Sequence, residues 1–293
     1  MSQTVRRIAR PLHWRVAEAL PLPVRRHYLH VANTRRWGNF AHPSTYNEKM
    51  NWRILRDRRD CLIEASDKLA MKDRARALVP DESELRIPRT LWSGDAPAGI
   101  PDLKRLPPFV VKPNNGSGDV LFGPMGRDEL VTRTNRWMRS KAAHQLGEWG
   151  YRHARELLII EERIPSVDLA PVDYKFFTFD GTVRLIQANA GRFGTNPSWS
   201  FYTPQWEHLD VGRRGYSRAP VDRPSTLEHM VDLAQRLAAG WDHLRIDLYS
   251  TDDGIWFGEF SPYHHGGVFP FDPPSFDADL GGMWTLPVSA DIG

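Results

Sequence analysis

Apolar and polar positions alternate with a period of two over two long stretches of the chain. In LRIDLYSTDDGIWFGEF, Leu244 to Phe260, Leu244, Ile246 and Leu248 fall on one face of a first strand. Trp256 and Phe260 fall on the matching face of a second strand, beyond a Thr-Asp-Asp-Gly turn. This pattern predicts a β-hairpin. Arg245, Asp247, Glu259 and Ser261 then share its opposite face. DYKFFTFDGTVRLIQAN, Asp173 to Asn189, predicts a second hairpin turning at Phe179-Asp180-Gly181-Thr182, with Asp173, Lys175, Phe177 and Phe179 facing one way. Two short apolar runs read as buried strands: Phe109 to Val111, ending at Lys112, and Leu157 to Ile160, stopping at Glu161 and Glu162. Ile87 to Pro108 reads as a short strand and a connecting loop.

Helical spacing appears elsewhere. Ser44 or Thr45, followed by Glu48, marks a capping box at the start of a helix within His42 to Leu55. A second helix is expected from Cys61 to about Leu78, and a polar helical stretch over residues 127 to 156. In the run from Thr226 to Gly240, Leu227, Met230, Val231, Ala234, Leu237 and Ala238 form one apolar face, with Ser225 as cap and Gly240 as stop. Residues 191 to 224, rich in Gly, Arg, Trp and Pro, show no regular pattern. Neither does the tail after the last hairpin, and no internal repeat is present.

At 293 residues and 41% hydrophobic content, the chain can bury a sizeable core and has room for two or three subdomains. No apolar run reaches bilayer length and no signal-type segment follows the N-terminal arginines, so a cytoplasmic protein is expected. The single cysteine, Cys61, excludes a disulfide framework and a cysteine metal cluster. The net charge of +3 is mild but unevenly placed. Met1 to Arg36 holds eight arginines against one acid, Glu18. Pro11, Pro21 and Pro23 interrupt that segment, which favours a solvated face; docking on an anionic membrane surface or an acidic partner is the alternative. No pattern of aromatics and arginines matches a base-reading module, so no nucleic-acid partner is expected.

Two carboxylates beside a guanidinium, Asp247 and Glu259 with Arg245, suit Mg²⁺ and a polyphosphate; a solvated surface ion pair is the competing reading. Asn114, Asn115, Gly116, Ser117 and Gly118 form a loop able to bring backbone N–H groups to phosphates, and Lys112 closes the strand before it. It is not a Walker A loop, having no GK[ST] and no following helix. Lys68 and Lys72 lie four apart on one helix face and can reach a common anion. Lys175, set among aromatics, needs an anionic partner if buried. A zinc site at His264-His265 lacks a third ligand.

In chain order, HPSTYNEKMNW, SDKLAMK, FVVKPNNGSG, LIIEERI, DYKFFTFDG, FYTPQW and LRIDLYSTDDGIWFGEF resemble the ATP-grasp superfamily and, more closely, its TupA-like (teichuronopeptide biosynthesis) branch. The resemblance runs from about Pro43 to Pro287. It implies an α+β ATP-grasp fold holding the nucleotide between two α+β subdomains, with a helical N-terminal region. The expected organisation is 1–72 for the helical and basic region, 73–163 for a central subdomain with a glycine-rich flap, and 164–293 for a C-terminal subdomain with the Mg²⁺ site.

By the same resemblance, Lys112 and Lys72, the latter in a DKxxxK run like that of D-alanine ligase relatives, would hold the α- and β-phosphates of ATP. Asn115, Gly116, Ser117 and Gly118 would form the flap. Glu161, Glu162 and Ile164 would meet the adenine, and Asp173 the ribose. Lys175 would face the phosphates or the acyl group, Arg245 would stabilise the transferring phosphate, and Asp247 and Glu259 would hold Mg²⁺. The chain departs from the usual Glu-x-Asn at the metal site, having Glu259-Phe260-Ser261. Arg192, Arg213, Arg214, His264 and His265 are candidates for the acceptor side. The implied function is an ATP-dependent carboxylate-amine ligase working through an acylphosphate, in cell-surface polysaccharide or peptide, or small-molecule, biosynthesis. A kinase acting on a sugar or small-molecule hydroxyl and a non-catalytic nucleotide-binding scaffold are the alternatives.

Overall fold

The computed structural model describes residues 16–140, 146–166, 170–191, 197–213 and 215–288. The first fifteen residues, Arg192 and Arg214 therefore lie outside the described residues. Two antiparallel sheets carry the fold. The smaller has the order β1 (Thr90–Gly94), β4 (Leu158–Glu162), β2 (Phe109–Pro113), β3 (Leu121–Phe122). The larger has the order β11 (Gly254–Ser261), β10 (His243–Thr251), β5 (Asp173–Phe179), β6 (Thr182–Ala190), β7 (Ser198–Tyr202), β8 (His208–Leu209). A two-stranded ladder joins β9 (Gly212–Arg213) to β12 (Phe271–Asp272).

Each sheet has its own core. Ile100, Phe109, Val111, Leu121, Leu130 and Ile160 pack under the small one, where α5 (Arg127–Ser140) contributes Leu130. The large sheet builds the main core from Phe176, Ile186, Leu244, Ile246, Leu248, Phe257 and Phe260 together with the apolar face of α7 (Leu227–Leu237). Helices α1 (Leu22–Thr34), α2 (Tyr46–Arg56), α3 (Asp60–Glu64), α4 (Lys68–Leu78) and α6 (Trp149–His153) pack around these sheets, and α8 (Phe276–Gly282) closes the chain.

Both hairpins form where the alternation places them. The β5–β6 turn is made by Asp180 and Gly181 at φ 47° and 72°, the left-handed pair that a tight hairpin with right-handed strand twist needs. In the β10–β11 hairpin, Asp247 stands opposite Glu259 and Arg245 opposite Ser261, so these four do share a face. The position of Trp256 differs from expectation. A bulge at Gly258 shifts the register, so Phe257 pairs with Leu248 and turns into the core, whereas Trp256 pairs with Tyr249 on the other face. Gly258 is required there, because a Cβ would stand 2.8 Å from the carbonyl oxygen of Asp247.

Thr45 and Glu48 complete the capping box of α2. The helix expected from Cys61 to Leu78 is broken into α3 and α4, because Asp67 leaves the helical conformation and its carboxylate caps Leu69 N and Ala70 N at 3.0 and 2.9 Å. Residues 191–224 are not wholly irregular: β7, β8 and β9 lie within them. The tail likewise gains a short turn at His264–Gly267, then β12 and α8. Nor is the N-terminal basic segment only a solvated face. Arg26 of α1 is fully buried, donating to Asn51 Oδ1 at 2.8 Å, to the carbonyl of Leu146 at 3.1 Å and to that of Gly266.

Candidate functional site

A cavity partly open to solvent lies where the small sheet faces the β10–β11 hairpin. Lys68, Lys112 and the loop from Gly116 to Val120, with the acid Asp119, form one side; Glu161 to Ile164 follow β4 around it; Asp173, Asp247 and Glu259 bring further acids. Cations and carboxylates thus meet across one space. Lys72, Asn115, Lys175 and Arg245 do not line it.

Strand β2 delivers Lys112 beside β4, whose Glu161 accepts an ion pair from it. The second oxygen of Glu161 takes Lys72 Nζ at 2.5 Å, and Lys72 also donates to the carbonyl of Pro88 at 2.9 Å. Burial of Glu161 opposes its ionisation, but the charges of Lys112 and Lys72 outweigh burial and hold the carboxyl at about 2. This geometry alters two expectations. Lys72 sits behind Glu161, away from the cavity, whereas Lys68, at the first position of α4, lines the cavity and donates to the carbonyl of Gly116. Burial lowers the pKa of Lys68, against the nearby charge of Glu259. The signal for Lys68 was present in its place just after a capping aspartate, where a side chain is aimed from the helix start. Glu161, expected at a base, instead has both oxygens on lysines, while Glu162 turns its carboxylate to Arg89 at 3.0 Å.

The glycine-rich loop is anchored at its base and open at its tip. Asn114 takes the Leu69 N–H at 3.0 Å and donates to the carbonyl of Arg155 at 3.0 Å. Asn115 is buried and donates to the carbonyl of Tyr151 at 3.3 Å, which places it in the anchor and corrects its assignment to the flap. Gly116, Ser117 and Gly118 face the cavity, and Gly118 has φ 88° with nothing near where a Cβ would be.

On the opposite wall, Arg245 holds both oxygens of Asp247, at 2.7 and 2.8 Å, and reaches Glu259 at 3.4 Å. Lys175, next to Asp247 across the β10–β5 ladder, bridges it to Asp173 with 2.5 Å to each. That answers the requirement for an anionic partner. Burial pushes the Asp247 carboxyl up, but Arg245 and Lys175 overcome it and leave its pKa below the ordinary value. Arg245 donates its remaining edge to His264 Nδ1 at 2.9 Å. His264 is fully buried, and burial drives its pKa well below the ordinary value, so it is a neutral acceptor behind Arg245. His265 is exposed, against Trp199, and Arg213 lies with it; neither lines the cavity.

Among the described residues there is no group of three or more His, Cys, Asp or Glu placed to hold a metal. Asp247 and Glu259 both line the cavity, and Mg²⁺ takes one or two carboxylates and completes its shell with phosphates and water, so the pair suits it once Asp247 exchanges one of the cations it now holds for the metal. Ser261, beside Arg245 in the ladder, is buried and does not line the cavity.

No curated protein matches the chain. Among solved structures, D-alanine–D-alanine ligase from Bacillus anthracis matches at 17% identity and a TM-score of 0.39, over 68% of this chain and 57% of that one. The same enzyme from Helicobacter pylori matches at 11% and 0.42, over 76% and 59%. The macrocyclase MdnC of Microcystis aeruginosa, bound to precursor peptide MdnA, matches at 16% and 0.37, over 70% and 55%. The chain spans less than two thirds of each of them. The family profile described as TupA-like ATP-grasp covers residues 48–285, from α2 through both sheets to the end of α8, and every wall of the cavity lies within it. The chain belongs to the TupA-like ATP-grasp family.

Proposed function

We propose that this protein is an ATP-dependent ligase that joins a carboxylate to an amine through an acylphosphate. The observation that carries the reading is one cavity with Lys68 and Lys112 on one side and, on the other, Asp247 and Glu259, which Arg245 holds from behind. Such a division suits a polyphosphate that meets ammonium groups on one flank and a carboxylate-held cation on the other. We read the small sheet with its own core as the lobe that covers the nucleotide, and the large sheet as the lobe of the reacting end.

In this reading Lys68 and Lys112 bind phosphate oxygens, Lys112 giving up Glu161 to do so. The tip from Gly116 to Gly118 covers the phosphates with backbone N–H groups and excludes water, which an acylphosphate must be shielded from. Glu161, freed of Lys112 but still held by Lys72, faces the base together with the backbone of Glu162 and Ile164, and Asp173 faces the ribose. Arg245, kept in place by Asp247 and His264, gives up its 3.4 Å contact with Glu259 and turns that N–H toward charge developing on the transferred phosphoryl group. Asp247 and Glu259 would hold Mg²⁺, which when bound neutralises part of the polyphosphate charge. Lys175 helps to keep Asp247 ionised and holds Asp247 and Asp173 in place between these positions. A place in cell-surface polymer assembly accords with the family's name, and the acid and amine are to be found by assay.

The test is ADP release from Mg-ATP across a panel of amino acids and uronic acids, with and without hydroxylamine. Carboxylate-dependent ADP release that yields a hydroxamate is expected. Nucleotide binding without hydroxamate, and a stable phosphorylated product from a hydroxyl compound, would replace the ligase by a kinase.

A further inference from the structure

Arg213 is a guanidinium that the cavity does not use. It sits on β9 opposite Phe271 and is half-buried. Its Cζ stands 5.1 Å from the ring of Trp199, 4.8 Å from Tyr216 and 6.0 Å from Phe269. Trp199 and Tyr216 lie 4.5 Å apart at 34°, so they form a shallow aromatic seat. Packing of this kind fixes the plane of a guanidinium while leaving its N–H edges without acceptors. No carboxylate among the described residues pairs with Arg213. The nearby acids are taken by Arg218, which holds Asp210 at 2.6 Å and also Asp272. Arg218 reaches Asp272 across Gly212, where a Cβ would stand 2.7 Å from Arg218 Nε. A half-buried guanidinium with five donors, held in place and given no anion by the described residues, is a recognition group in search of one.

The turn His264–Gly267 connects this seat to Arg245, behind the cavity wall. His265, Gly266 and Gly267 have φ of 45°, 56° and 65°, three successive left-handed residues. This backbone buries His264 against Arg245 and sends the next ring, His265, out to Trp199 at 5.4 Å. Adjacent residues of one turn therefore touch the Arg213 seat and the reacting end of the proposed active site.

We propose that Arg213 on its Trp199 and Tyr216 seat is a carboxylate-binding subsite for the second substrate, a small acid whose carboxylate takes the guanidinium edge and whose body lies on the rings. This carboxylate anchors the molecule and is not the one activated. Its assignment to the second substrate rests on the ligase reading; its recognition of a carboxylate does not.

The experiment is isothermal titration of the full chain, at fixed ionic strength, with D-glucuronate, L-glutamate and neutral D-glucose, in the presence and absence of Mg²⁺ and a non-hydrolysable ATP analogue. Binding of at least one acid and no binding of glucose are expected, and which acid binds tells a sugar body from an amino-acid body. Arg213→Gln should weaken that acid by about tenfold or more, and Arg213→Lys by less, since an ammonium keeps the charge but loses the fork. Both variants should bind the nucleotide as the unmodified protein does. Unchanged acid affinity in folded Arg213→Gln, or no acid binding to the unmodified protein, overturns the subsite. If Arg213→Gln does not fold, unchanged affinity in Arg213→Lys overturns it equally. Acid binding that persists where the nucleotide fails to bind overturns the ligase reading and leaves the subsite standing.

Discussion

Single residues separate binding from turnover. Lys112→Ala should weaken nucleotide binding by about tenfold or more, because a charge-assisted contact to phosphate is lost. Asp247→Asn should spare much of that binding and lower turnover by about a hundredfold or more, because Arg245 and Lys175 both take their aim from this carboxylate. Titration of the nucleotide beside steady-state assays checks both, and full activity in the two variants would refute the site. The structure also distinguishes two lysines of one helix. Lys68→Met should lower nucleotide affinity with little change in stability, whereas Lys72→Met breaks a buried ion pair and should cost about 3 kcal/mol or more of unfolding free energy, read by urea denaturation. Acid sensitivity follows from buried histidines. His243 is held at about 3, first by burial and then by the charge of Arg53; its Nδ1 donates to the carbonyl of Thr178 at 2.7 Å while Nε2 accepts from Tyr46 at 2.9 Å. An unfolded histidine takes up a proton below about 6.5, so between that value and 3 the unfolded chain binds the extra proton and stability rises with pH. Unfolding free energy should therefore fall from pH 7 to pH 5, approaching about 1.4 kcal/mol per pH unit for each such histidine, His264 included. The stability from ionised Glu161, present above its unfolded value, is lost only as pH falls toward about 2. A flat profile from pH 7 to 5 would contradict this order.

At the scale of elements, the β10–β11 bulge and the start of α4 decide what reaches the cavity. Gly258 lets β11 shift register while keeping Glu259 opposite Asp247. Gly258→Ala should lose activity and stability together, since the added methyl meets backbone at 2.8 Å, and circular dichroism during heating alongside the assay would show it. Asp67 stops α3 and α4 from fusing and also pairs with Arg155 at 2.6 Å. One carboxylate thereby sets the helix start that aims Lys68 and ties it to the segment leading into β4. The periodicity of the sequence supplied these elements, but a bulge and an internal cap leave it almost unchanged, and each moved residues between faces: Trp256 away from the core, Lys68 toward the cavity.

For the whole molecule, the basic segment and the body are one structure from α1 onward. Arg26 holds the carbonyl of Gly266 inside the turn that carries His264. Arg26→Ala should destabilise the protein by about 3 kcal/mol or more, leaving Asn51 and buried carbonyls without their donor, and deletion of residues 1–36 should impair folding. Retention of a sharp unfolding transition at an unchanged midpoint would show that α1 is only an appendage. None of the helices among the described residues is long and apolar enough to cross a membrane.

Sequence alone determined the hairpins, the capped α2, the α7 face, the shared face of Arg245, Asp247 and Glu259, and, through seven markers in order, the family. All of these rest on local periodicity, turn chemistry or residue type, which a chain carries wherever it folds. Tertiary structure decided the rest: that Glu161 clasps Lys72 and Lys112, that Lys68 and not Lys72 reaches the cavity, that Asn115 anchors the loop, and that among the described residues Arg213 is left without an acid while Arg218 holds two. Each of these depends on which charges meet across strands and helices far apart in the chain. Burial makes such meetings energetically decisive, and no pattern along the sequence records them.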